Sequence, residues 1–274
     1  MLEKKEKFFD GLTKLRLSVV RGGKELVSSD SCVFPRLAVE EEYEDGDLIV
    51  VESEKPGIWL RLRLDACLDE ALVYLAEDRL VYHVPVGEKK VAMNPLCFSG
   101  KNKMITAREA RAEEIKGFCN LCFNPYDQHE NAMSFPHAHA NVETRGEAWF
   151  AARNAIDGEY ANHGHGAWPY QSWGINRDPE AAMTVELGPE AEVSQVRITI
   201  RCDFPHDSHW TQADLVFDDE ILQTVPLEKT DTPQVFDLPV PIRCRRVRLE
   251  RLIKADDDSP FPALTQFELW GERL

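Results

Sequence analysis

The run Arg201-Cys202-Asp203-Phe204-Pro205-His206-Asp207-Ser208-His209-Trp210 gathers a guanidinium, carboxylates, imidazoles and aromatic faces into one short segment. Hydrogen-bonding forks beside flat apolar faces are what a small polar ligand needs. Nothing in the run composes a complete catalytic device. A second segment of similar character covers residues 159–173, where His163, His165, Trp168, Tyr170 and Trp173 stand among glycines and a proline. The candidate ligand site is therefore His163, His165, Trp168 and Tyr170 from one loop with Arg201, Asp203, His206, Asp207 and Trp210 from the other. Trp168 and Trp210 are the expected platforms, because an aromatic face covers the C–H side of a sugar while Arg, Asp and His reach its hydroxyls. Trp173 and Trp270 are expected to pack structurally. Arg201 is either a ligand fork or the ion-pair partner of Asp203 or Asp207.

Metal chemistry has weaker footing. Cys119 and Cys122 have zinc-knuckle spacing, but no second Cys-x-x-Cys follows; His129, His137 and His139 are the other available ligands. Cysteines packed inward on a first strand are the simpler reading. The pairs His137/His139, His163/His165 and His206/His209 could in principle form a transition-metal site, since alternate residues on a strand point the same way. After His165, however, the chain runs Gly166-Ala167-Trp168-Pro169-Tyr170-Gln171, without the carboxylate that a jelly-roll metalloenzyme places after such a pair. Asp157 before Gly158 reads as a tight-turn aspartate.

The elements that must position these residues are strands. Val196, Ile198 and Ile200 alternate with Arg197, Thr199 and Arg201, a half-buried strand carrying the first loop at its end. Similar short runs start at Leu48, Ile58, Ala71 and Leu80, with Ile58, Leu60, Leu62 and Leu64 on one face. Further runs follow at 183–187, 215–217, 235–238, 247–252 and 267–270. Residues 106–115 are rich in helix formers and precede Gly117, which predicts a short helical connector. The expected fold is all-β: two β-sandwich (jelly-roll) domains, residues 1–117 and 118–274, with long loops over the second between 125 and 180.

Composition sets the limits. A chain of 274 residues with 43% hydrophobic and 29% charged residues is long and apolar enough for two cores. Its formal charge of -16 disfavours nucleic acid and anionic membrane surfaces as partners. No apolar run approaches the roughly 20 residues of a membrane span, and Met1 to Lys7 lack the apolar core of a signal peptide, so a cytoplasmic location is expected. The seven cysteines, an odd and scattered number, are expected to be reduced thiols.

Residues 118–274 resemble the discoidin or coagulation-factor type C domain, a galactose-binding-like jelly roll similar to many carbohydrate-binding modules. The resemblance lies in Asn120-Leu121, the turn Ala155-Ile156-Asp157-Gly158, Ser172-Trp173-Gly174 and the closing Phe267-Glu268-Leu269-Trp270-Gly271. It implies a possible structural calcium held by Asp157, Ser172 and Glu268, which would clamp distant loops to the sandwich. It also implies non-catalytic binding of a carbohydrate or other small polar ligand. A protein-interaction module using the same loops, and a metal-dependent jelly-roll enzyme, are the competing readings.

Overall fold

The computed structural model describes residues 11–129, 133–160, 164–203 and 206–274. Contacts divide it into two units, one ending at Gly87 and resuming over Leu96–Ile115, the other made of Glu88–Pro95 and Lys116–Leu274. Both are built from antiparallel β-sheet, in keeping with the all-β expectation. Among the described residues no helix is long and apolar enough to cross a membrane.

The first unit has two sheets. Strands β1 (Leu15–Arg21), β2 (Lys24–Ser28), β4 (Leu48–Ser53) and β7 (Arg79–His83) form one, in the order β2-β1-β4-β7. In the other, β3 (Arg36–Val39), β5 (Ile58–Arg63), β6 (Ala71–Leu75) and β8 (Lys103–Glu109) run in the order β6-β5-β8-β3. Strand β1 packs across onto β3 and β8, and Leu15, Leu17, Ile49, Val51, Leu60, Leu62 and Tyr82 are buried. The period-2 reading holds at Ile58, Leu60, Leu62 and Leu64, all buried. The predicted connector helix is corrected: residues 103–109 are β8, paired with β3 and β5, and only Ala112–Ile115 (α1) is helical. Burial of Ile105 and Ala107 between sheet neighbours outweighs the helix propensity of the Ala-, Arg- and Glu-rich run.

The second unit folds around one core. Its strands are β9 (Cys119–Asn120), β10 (Ser134–Phe135), β11 (His137–Ala140), β12 (Trp173–Gly174), β13 (Met183–Ile200), β14 (Trp210–Phe217), β15 (Ile221–Pro226), β16 (Gln234–Lys254) and β17 (Ala263–Arg273). The main sheet runs β12-β17-β13-β16-β14-β15, with β11 added on β13 and β9 on β17. Runs that look separate in sequence are halves of long strands: 183–187 and 196–200 both belong to β13, and 235–238 and 247–252 both to β16. Register shifts between Glu186 and Ala191 and between Val193 and Gln195 bend β13, so the sheet wraps a core of Val185, Val196, Ile198, Leu215, Phe217, Leu249 and Phe267.

Gly271 is required by a close approach. It faces Val193 where β13 bulges, and a Cβ there would lie 1.9 Å from the Glu192 carbonyl oxygen. Since the obstacle is backbone, no rotamer change relieves it. Gly271→Ala is expected to lower stability by at least about 1–3 kcal/mol in urea unfolding, overpacking being the cause.

Candidate functional site

Four stretches of the second unit meet at one end of its sheet: parts of the long segment between β11 and β12, residues 174–177 after it, His206 from the connection between β13 and β14, and residues 260–263 leading into β17. They enclose a cavity of about 270 Å³ lined by Thr144, Arg145, Phe150, His165, Tyr170, Gly174, Ile175, Asn176, Arg177, His206, Pro260, Phe261, Pro262 and Ala263. Aromatic rings of Phe150, Tyr170 and Phe261 stand in this lining beside prolines, imidazoles and the polar Thr144, Arg145, Asn176 and Arg177.

Arg201 organises the floor. It directly follows the last residue of β13, and its side chain is wholly buried. Nε and Nη2 donate to Asp203 Oδ1 and Oδ2 at 2.7 and 2.6 Å, Nη1 donates to the Tyr170 carbonyl at 2.5 Å, and Nη2 also reaches the Gly164 carbonyl at 3.3 Å. The guanidinium stands 4.6 Å from the Tyr170 ring centroid. Burial pushes the Asp203 carboxyl up, but hydrogen bonding and charge from Arg201 outweigh it and hold the group below its ordinary value. Arg201 is thus the ion-pair partner of Asp203 and a loop anchor, and no free fork remains for a ligand.

Tyr170 and His206 form the wall above it. The His165 ring meets Tyr170 edge-on at 4.7 Å, Trp149 does so at 5.2 Å, and Phe150 lies 5.9 Å away. His206 Nδ1 lies 3.0 Å from the Phe261 carbonyl. That contact requires a hydrogen on Nδ1, leaving the Nε2 lone pair toward the Tyr170 hydroxyl at 3.5 Å. Burial first, and then the Arg201 charge, push the His206 imidazole down to about 4, so it is neutral near pH 7.

Of the nine predicted ligand residues, the structure brings His165, Tyr170 and His206 to the cavity, with Arg201 and Asp203 supporting them. Trp168 and Asp207 are half-buried and do not line it, and His163 lies outside the described residues. Trp210 is corrected: it is fully buried, 6.4 Å from the equally buried Trp173, and cannot offer a face to a ligand. Being the first residue of β14, it takes an inward position of the sheet rather than the loop. Trp173 packs as expected, its indole donating to the Val142 carbonyl at 3.0 Å. Trp270 is also corrected, being only half-buried; Arg197 stacks on its ring at 4.0 Å and its indole donates to Glu268.

Sequence reasoning missed Phe150, Asn176, Arg177 and Phe261. The one legible signal is Pro260-Phe261-Pro262, where flanking prolines stiffen a segment that holds an aromatic at the surface. Asn176 and Arg177 are consecutive left-handed residues with φ of 49° and 61°. Side chains in that region cost about 1–2 kcal/mol each, a strain that concentrates at binding sites. Asn176 N–H donates to Thr144 Oγ1 at 2.9 Å, which fixes the turn. Gly174 lets that wall close, because a Cβ there would stand 2.7 Å from Thr144 Oγ1 and 3.1 Å from Phe150.

The metal candidates scatter. His137 is buried and pairs through Nδ1 with Asp127 Oδ1 at 2.7 Å, while His139 and His129 are largely exposed. Cys122 is buried, which pushes its thiol up, and Cys119 Sγ accepts from Arg273 at 2.8 Å. Among the described residues no three His, Cys, Asp or Glu side chains converge as a metal site would require. Asp157 occupies the predicted turn before Gly158, whose φ is +83°. Its carboxylate accepts from Glu159 N–H, Gln266 Nε2 and Gln171 Nε2 at 2.8, 2.8 and 3.3 Å. Glu268 accepts from Trp270, and Ser172 Oγ is buried without a hydrogen-bond partner among the described residues. Asp157 Oδ1 thus accepts two donors and Oδ2 one, and burial outweighs these bonds and the Arg153 charge, pushing the carboxyl up to about 6.

No protein-family model matches the sequence, and no curated protein matches it. Solved structures similar to this chain include the family 32 carbohydrate-binding module from C. perfringens NanJ in complex with galactose. It is 18% identical over 48% of this chain and 91% of that one, with a TM-score of 0.38. A Streptococcus pneumoniae fucose binding module is 15% identical over 57% of this chain and 97% of that one, at 0.41. Chitosan-binding module 1 from the chitosanase/glucanase of Paenibacillus sp. IK-5 is 17% identical over 56% and 99%, at 0.38.

Two outcomes follow from these placements. Trp210→Ala should cost about 3–5 kcal/mol in urea unfolding, as for a large aromatic lost from a core. The second concerns acid. An unfolded imidazole titrates near about 6.5, whereas folded His206 resists protonation until about pH 4. Between these values the unfolded chain binds the extra proton, so stability falls as pH drops through that window. His206→Gln should flatten this portion of the wild-type stability curve by up to about 3 kcal/mol, read from denaturation at pH 7 and pH 4.

Proposed function

We propose that the second unit binds a carbohydrate or another small polar ligand, non-catalytically, in the cavity between Tyr170, His206 and Phe261. The observation that carries this reading is a cavity in which the aromatic Phe150, Tyr170 and Phe261 stand beside the hydrogen-bonding Arg145, Asn176 and Arg177. Phe261 is 37% exposed beside it, and Arg177 lies 4.5 Å from its ring centroid, with no ion pair among the described residues. A sugar ring laid on Phe261 buries its C–H face, and Arg177, Asn176 and His165 supply donors and acceptors for its hydroxyls. The volume, about 270 Å³, is at the small end of ligand pockets and suits one or two sugar rings rather than a long chain buried whole. The two buried supports, Arg201 and His206, are already committed to protein partners, so the floor is preorganised before a ligand arrives.

Galactose, fucose and glucosamine oligomers make a first panel of probes. At ten times its Kd, a ligand bound only by the native state adds about 1.4 kcal/mol of stability, enough to move the melting temperature. Phe261→Ala should weaken binding tenfold or more in calorimetry while leaving unliganded melting within a few degrees, because that side chain is partly exposed. A variant that binds like wild type, or a full sugar panel without any shift, would exclude this pocket.

A further inference from the structure

Gln266, on β17, holds an unusual position. Its Nε2 lies 2.9 Å from the Asn154 carbonyl, 2.8 Å from Asp157 Oδ1, 3.2 Å from the Glu159 carbonyl and 2.7 Å from the Thr265 carbonyl. Its Oε1 accepts from Gly158 N–H at 3.0 Å, which fixes which end of the amide faces those oxygens. The side chain is buried. A neutral amide has two hydrogens for these four acceptors, so the oxygens outnumber what it can satisfy. Convergent carbonyl and carboxylate oxygens from separate segments are the arrangement that takes a hard cation.

We infer that the Gln266 amide stands in the place of a loop-clamping cation, and that this domain ties its 154–159 turn to the sheet without calcium. Gln266 supplies donors to the oxygens on one side of the Asp157 carboxylate, and Gln171 supplies one on the other. The clamp spans the same sequence distance that a bound ion would, joining Asn154, Asp157 and Glu159 to β17 more than a hundred residues later. An amide also leaves Asp157 without a full counter-charge.

Thermal unfolding of the full chain tests this. Wild type should melt at one temperature in EDTA and in millimolar calcium. Gln266→Met, of similar length but without donors, should melt about 5 °C lower or more, with no recovery in calcium, because the buried oxygens lose their partner. Gln266→Glu replaces the donor by a carboxylate among oxygens; it should melt low in EDTA, rise on calcium addition and show saturable calcium binding by calorimetry. A wild-type chain destabilised by EDTA overturns the inference, as does Gln266→Met melting like wild type. A folded Gln266→Glu chain that takes no calcium overturns it too. If Gln266→Glu fails to fold, wild type and Gln266→Met still decide.

Discussion

The candidate site depends on one buried charge. Removing a guanidinium from water costs several kcal/mol unless its donors are taken up, and Arg201 meets that demand with Asp203 and the carbonyls of Tyr170 and Gly164. Those acceptors come from two of the segments that build the cavity. Because the charge cannot be left unpaired, the loops cannot drift from the end of β13 without exposing it. A requirement of electrostatics thus becomes a restraint on shape.

A second restraint lies next door. Thr199 pairs with Gln266 across β13 and β17, and Arg201 N–H donates to the Ala263 carbonyl. The guanidinium and the Gln266 amide therefore issue from adjacent strands at one end of the sheet, the first holding the 164–170 and 203 segments, the second the 154–159 turn. The His137–Asp127 pair gives a third anchor. Burial opposes the charged imidazole there, yet the Asp127 hydrogen bond outweighs it and raises the group above its ordinary value. Long loops without regular structure are tolerated here because Arg201, Gln266 and His137, buried and hydrogen-bonded, do the ordering that a ladder of hydrogen bonds would otherwise do.

Such anchoring leaves the rim free to be strained and polar. Asn176 and Arg177 hold left-handed backbone angles because Thr144 and the neighbouring wall determine them. Phe261 stays partly exposed between two prolines, and the Arg177 guanidinium lies over its ring. The exposed Arg177 and partly exposed Phe261 are thus distinct from the buried Arg201 and Gln266 that hold the loops.

Much of the framework was legible from residue order alone. Period-2 alternation identified the strands around Ile58–Leu64 and Val196–Ile200, since a half-buried sheet forces that spacing. Asp157-Gly158 announced its turn, and three residues of the polar aromatic loops, His165, Tyr170 and His206, line the cavity of the second unit. Local sequence could not say which aromatic in a loop faces out. Trp210 and Phe261 are both aromatics near polar residues, yet one is fully buried as the first residue of β14 and the other is partly exposed. Their fates are set by strand register, which is decided by pairing partners far along the chain. The same holds for residues 103–109, where helix formers became β8 once β3 and β5 offered backbone partners, and for Gln266, whose role exists only because Asn154, Asp157 and Glu159 arrive beside it. Residue types determined what chemistry was available; long-range packing decided which groups were buried as supports and which were left exposed.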